Sequence, residues 1–232
     1  KGELKAGMRN YLIPLELIFR NSLPDGSSVF KRLEKKETTL EQLGLKKMPV
    51  VGEKLAKPIL DVSTKLEPTD RYLDWAEAQE LSCLNGGKMA DLKEKILRVN
   101  DFLNRKAESI GLEHADGKVE FALGPEGNLM LVAVCGTLDE DRLLFKDFHI
   151  SKQVLRDYYK TTPWFEWLSK AKEEFPDDKS KWPKPPKLPT ELIDLVSSMY
   201  KGVCEAWTGR KIWNAPSIEA VITQYKAFLG KA

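Results

Sequence analysis

The sequence predicts an α+β fold: a mixed, mostly antiparallel sheet flanked by helices, with a helical extension towards the C-terminal end. Three observations carry this. Lys118 to Leu123 alternates polar and apolar residues, the period of a half-buried strand. Met89, Leu92, Ile96, Val99, Leu103 and Ile110 recur at the spacing of one helix face. The last quarter of the chain follows a proline-rich stretch with two further amphipathic helix patterns.

Asn10 to Asn21 (NYLIPLELIFRN) is apolar enough for a strand but contains Pro14, which donates no ladder hydrogen bond. The expectation is an edge strand or a bulge there, and an unpaired edge favours a homo-oligomer. Arg20 shares parity with Glu16 and meets the turn ending Gly26-Ser27-Ser28, a combination suited to acceptor oxygens. Residues 29–45 show no clear period. Pro58 to Val62 reads as a short strand after a loop, and Ser63 to Arg71 as a charged loop. Asn85-Gly86-Gly87 reads as a stop, Lys88 to Ile110 as a core helix, and Gly111 as its C′ residue.

Lys118 to Leu123 and the run Leu129 to Cys135 form a hairpin across the Gly124–Asn128 turn, the second strand expected to be covered on both faces. Period two places Asp116, Lys118 and Glu120 on one side, a row compatible with either a solvated face or a site. Ile150 to Glu174 is helical with a pause at Thr161–Pro163, and Trp164 and Trp167 read as packing residues. Thr190 and Ser217 are expected to cap the last two helices. The domain organisation expected is 1–175 for the main region, 176–189 for the connector, and 190–232 for a helical segment packing on it.

Composition narrows the function. The chain has 232 residues, and 37 Lys+Arg against 35 Asp+Glu leave a formal charge of +2. That balance has no footprint for nucleic acid or an anionic membrane. Three scattered cysteines point to reduced thiols and a cytoplasmic setting, and two histidines argue against a histidine-based zinc site. The first residue is Lys1, with no initiator methionine, so an upstream segment is expected.

The succession IPLELIFRN, GSSVFKRL, STKLEPTDR, DGKVEFAL and DEDRL resembles the SAICAR synthetase family, from about Leu12 to about Arg142. His149 to Phe175 is similar to the helical continuation of its long-chain members. The resemblance implies an ATP- and Mg2+-dependent ligase of purine biosynthesis. Its partners are the small molecules ATP, L-aspartate and carboxyaminoimidazole ribonucleotide, whose carboxylate is activated as an acyl phosphate and attacked by the aspartate amine. It further implies Arg20, Ser27 or Ser28, and Arg142 at the ribonucleotide phosphate. Lys65, Glu67 and Asp70 belong to a charged loop over the substrates, Asp116 and Lys118 face the reacting groups, and Glu120 is a magnesium ligand. Phosphoryl transfer to a carboxylate gathers negative charge, so fixed cations and a metal suit it.

Three departures stand out. The family's Gly-rich lobe before the IPLE strand is not in this sequence, and the Arg20-to-Ser28 loop is longer than the family's. The Asp-Glu pair that ends the second strand in relatives is replaced by Ala133-Val134-Cys135-Gly136. Weaker magnesium binding is expected. A non-catalytic relative that keeps the ribonucleotide pocket is the alternative reading.

Overall fold

The computed structural model describes residues 4–67, 70–176 and 178–230, so Pro68 and Thr69 of the charged loop lie outside the described residues. The chain divides into two compact units, Lys1–Asp147 and Phe148–Ala232. The second therefore takes in the helices that the sequence grouped with the strand-rich region.

The first unit is built on antiparallel strands β1 (Tyr11–Leu12), β2 (Leu15–Ser22), β3 (Lys54–Thr64), β4 (Glu113–Leu123), β5 (Leu129–Val132) and β6 (Arg142–Phe145), with helices α1 (Ser28–Glu34), α2 (Trp75–Ser82) and α3 (Gly86–Ser109). Pro14 separates β1 from β2 and does not mark an edge. Strand β2 is interior, paired with β3 on one side and β4 on the other, so the expected self-association through its edge is not available. Strand β3 begins at Lys54 and includes Pro58, much longer than the predicted Pro58–Val62. Strand β5 stops at Val132, because Ala133 turns to a φ of 70°. Its apolar run is not covered on both faces: Met130 and Leu131 are 39% and 42% exposed. Beyond the β4–β5 turn, β6 takes over the same side of β4, pairing Arg142 with Asp116.

Alternation sorts the faces. Leu15, Leu17 and Phe19 of β2, with Val62, Val119 and Phe121 opposite or beside them, are fully buried. This is the face that meets α3, whose Met89, Leu92, Ile96 and Leu103 are buried. Asn85, read as part of a stop, instead starts α3 by accepting a hydrogen bond from the Lys88 N–H, and Gly111 closes it at a φ of 75°. Helix α1 lies towards the opposite face, where Val29 joins Leu23, Leu43 and Ile59 in a small second core.

The second unit holds β7 (Phe148–Ile150), α4 (Gln153–Lys160), α5 (Pro163–Glu174), α6 (Thr190–Thr208) and α7 (Ile218–Leu229). Leu192, Leu195, Met199 and Val203 of α6 are buried, as are Val221, Ile222 and Tyr225 of α7. Thr190 is the first residue of α6 and makes no cap bond, whereas Ser217 caps α7 through the Ala220 N–H. Trp164 donates to the Pro183 carbonyl and steadies the connector, but Trp167 is exposed and packs against nothing that buries it. Glu205 is buried in the last turn of α6, facing the loop that follows the helix. The Trp213 N–H, followed by the Ile212 N–H and Lys211, outweighs burial and pulls its carboxyl down to about 2. No helix among the described residues is long and apolar enough to cross a membrane.

Candidate active site

On the α1 side of the sheet, the even positions of β2 and their cross-strand neighbours form a charged face. Arg20 lies opposite Asp116 and Ile59, Ile18 opposite Lys118 and Asp61, and Glu16 opposite Ser63. Arg20 and Lys118 therefore share one side, as the parity of the strands requires.

At one end sits an arginine–aspartate lattice. Arg20 is 3% exposed and donates to Asp61 (Nη2–Oδ2 3.1 Å), Asp116 (Nη1–Oδ2 3.3 Å), Ser28 Oγ (3.3 Å) and the Tyr72 hydroxyl (3.2 Å). Arg32 of α1 grips both oxygens of Asp61 and stacks its guanidinium 3.6 Å from the Tyr72 ring centre. Arg142 forms a two-pronged pair with Asp116, its Nε 2.8 Å from Oδ1 and its Nη2 on Oδ2. Burial pulls the Arg20 guanidinium down, but Asp61, Tyr72 and Asp116 together hold it above its ordinary value. Three arginines against two aspartates leave one positive charge in a largely buried place. Ser27 Oγ and Arg32 Nε are buried with no hydrogen-bond partner among the described residues, two donors left over for a bound acceptor.

At the other end, the Lys118 ammonium lies 2.7 Å from Glu16, 3.3 Å from Glu140 and 3.7 Å from Glu120. Lys65 bonds Glu120 at 2.7 Å and stands 3.8 Å from Glu16. Burial lowers the Lys118 pKa, yet the Glu16 hydrogen bond and charge, with Glu140, more than offset it and leave the group above its ordinary value. Two lysines against three glutamates leave one negative charge.

The sequence-derived residues divide accordingly. Arg20, Ser28, Asp116 and Arg142 meet at the arginine end, with Ser27 buried next to Ser28; Lys65, Lys118 and Glu120 meet at the lysine end. Lys118 does not sit between Asp116 and Glu120, since Asp116 is taken by the arginines. Glu67 faces Arg71 at 3.5 Å and is not drawn into either cluster, and Asp70 is exposed. Glu16, Arg32, Asp61, Tyr72 and Glu140 escaped the sequence reading as site members. The parity of Glu16 with Arg20 was the visible signal. Asp61 carried one too, as a lone acid in an apolar strand.

A buried arginine–aspartate lattice and a lysine–glutamate cluster thus share one sheet face of an α+β protein. The family model for SAICAR synthetase matches residues 6–171. A chain from Archaeoglobus fulgidus, provisionally named a phosphoribosylaminoimidazole-succinocarboxamide synthase, is 42% identical over 224 residues, covering 95% of this chain and 66% of that one. The phosphoribosylaminoimidazole-succinocarboxamide synthase of Thermoplasma acidophilum is 36% identical, covering 90% of this chain and 71% of its own. The chain thus spans about two-thirds of the length of these curated relatives. The chain belongs to the SAICAR synthetase family. The fold agrees: the SAICAR synthase of Saccharomyces cerevisiae complexed with SAICAR superposes with a TM-score of 0.64 at 24% identity, over 89% of this chain and 63% of that one. A type-2 SAICAR synthetase in complex with ADP gives 0.58 at 20% identity, over 90% of this chain and 72% of that one.

Proposed function

We propose that the chain carries the ligation its relatives are named for, joining carboxyaminoimidazole ribonucleotide to L-aspartate with ATP in purine biosynthesis. The observation that supports this best is the division of one sheet face into a buried end with a positive surplus and a more open end with lysines among glutamates. In the reaction the γ-phosphoryl group passes to a carboxylate oxygen of the ribonucleotide and ADP leaves. The aspartate amine then attacks the activated carbonyl, the C–N bond forms, phosphate departs and the amine loses a proton. Arg20, Arg142, Ser27 and Ser28 hold the ribonucleotide phosphate through fixed, charge-assisted bonds. Lys118 and Lys65 offset charge as phosphate and carboxylate come together, with Asp116 keeping the arginines in place. Glu67 and Asp70 remain rim residues over the substrates. The compartment is the cytoplasm, where thiols such as the free Cys83, Cys135 and Cys204 persist.

Magnesium fits this site as a metal shared with nucleotide phosphates. Glu120 offers a hard carboxylate oxygen, and magnesium is commonly held by one or two carboxylates plus phosphate. Among the described residues, no three His, Cys, Asp or Glu side chains are grouped to hold a metal alone. The bound metal supplies charge neutralisation on the phosphates, and Glu120 would give it one ligand after yielding Lys65.

The test is SAICAR formation by the purified chain with ATP, magnesium, aspartate and the ribonucleotide. Lys118→Met is expected to lower kcat by roughly 10²–10³ while ribonucleotide affinity changes little. A folded chain that forms no product, whether or not it binds the ribonucleotide, would overturn the reading.

A further inference from the structure

Glu140 and Arg142 both reach the charged face, but Asp141 between them turns the other way. Its Oδ1 lies 2.7 Å from His114 Nε2, and its Oδ2 accepts the Gly136 N–H at 2.7 Å. Its own N–H donates to the Thr137 carbonyl at 2.8 Å. Both the Asp141 and the His114 side chain are essentially inaccessible. The carboxylate lies against Gly117, where a Cβ would collide with Asp141 Oδ1 and with the Phe19 ring. The glycine of the Asp116-Gly117-Lys118 motif is there for space.

The far side of the imidazole is fixed too. Asn21, next to Arg20 but pointing to the α3 face, donates through Nδ2 to the His114 carbonyl at 3.1 Å, so its amide stands only one way round. Its Oδ1 must then accept from Asn100 (2.8 Å) and Asn104 (3.2 Å), which turns the Asn104 Oδ1 towards His114 Nδ1 at 2.9 Å. Nδ1 therefore donates to Asn104, and Nε2 faces Asp141. Burial pushes the Asp141 carboxyl up, against the pull of His114 and the Gly136 N–H.

Residues 133–141 belong to no strand; within the segment Leu138 is a buried apolar residue and Asp141 a buried polar one. We propose that His114 and Asp141 are positioning residues, which fold the 136–141 segment over Gly117 and thereby set Glu140 against Lys118 and Arg142 against Asp116. This rests on the proposed function only in that Arg142 serves ribonucleotide binding. The amide ladder runs the constraint back to α3, so the helix whose stripe looked purely structural orients the site through Asn100 and Asn104.

Paired substitutions test this. His114→Asn keeps a group facing Asn104 but falls short of Asp141, whereas His114→Gln reaches Asp141. In a cooperatively melting His114→Asn chain, hydrogen exchange of the Gly136 amide should rise about tenfold or more, and the Kd for the ribonucleotide should rise about tenfold. His114→Gln should restore both to within about threefold of wild type. If His114→Asn fails to fold, Asp141→Ala and Asp141→Asn give the same pair of readings, because an asparagine amide can still donate to Nε2 and accept from Gly136. Unchanged Gly136 exchange in a folded loosening variant overturns the proposal, as does faster exchange with an unaltered ribonucleotide Kd. A wild-type chain that binds the ribonucleotide but forms no SAICAR overturns the ligase reading, while the exchange and Kd readings still decide the positioning role.

Discussion

At the arginine end of the charged face three guanidinium groups share two aspartates, and at the lysine end two ammonium groups share three glutamates. The residue types match the difference in setting. Arginine with aspartate gives short carboxylate stems and planar forks, locked by several bonds each, and Arg20, Asp61 and Asp116 are all under a tenth exposed. Lysine with glutamate gives long, rotatable stems meeting at points, with Lys118 and Glu140 side chains 26% and 30% exposed. A rigid end with a surplus positive charge suits an anion that stays put through the reaction. Under the proposed function, a softer end with a surplus negative charge suits the place that would admit a metal and a moving phosphoryl group while the ion pairs rearrange.

The sharpest way to break this contrast is Asp61→Ala, which leaves two buried guanidinium groups without their shared partner. The expected loss is about 3–5 kcal/mol of unfolding free energy by urea denaturation. A loss under about 1 kcal/mol would mean that the arginines recover water and that the end is not rigid. Next comes Arg20→Ala, which should cost about 2–4 kcal/mol of ribonucleotide binding by calorimetry, since a desolvated charge-assisted contact disappears. An unaltered affinity would place the phosphate elsewhere. Glu140→Gln probes the softer end, where a half-open pair is worth little, and unfolding free energy should fall by less than about 1 kcal/mol. A drop as large as that of Asp61→Ala would erase the distinction.

The smallest effect expected is that of alkaline pH. The Lys118 pKa is raised above 10.5, so its stabilising contribution is complete below that ordinary value and is lost only as pH climbs through the higher folded one. Arg20 is raised as well. Denaturation midpoints between about pH 7 and about pH 9 should therefore show no step arising from either end. A step in that range that vanishes in Lys118→Met would show that the ammonium is less well held than its contacts imply.

The sequence by itself determined more of the site than of its wiring. Period two along β4 was enough to put Asp116, Lys118 and Glu120 on one face, because alternation is a property of any extended backbone, whereas Arg20 joins them only through the pairing of β2 with β4. The 3.6-residue stripe and the glycine after it were enough for α3, and the shared motifs for the family. Pairing partners were not legible, because they depend on which strands lie side by side. Strand β2 proved to be interior although Pro14 suggested an edge, since the proline falls in the break between β1 and β2, where no ladder bond is asked of it. The LMLVAVC run was read as covered on both faces from its apolarity, but only Leu129–Val132 pairs, and the positive φ at Ala133 ends the strand. Asp61 and Arg32 are 29 positions apart and meet only when α1 is laid over β3. The direction of Asp141, opposite to both its neighbours, was likewise settled by the third dimension: an imidazole from the start of β4 and the space left by Gly117 give its carboxylate a buried partner, and a buried charge goes where its partner is.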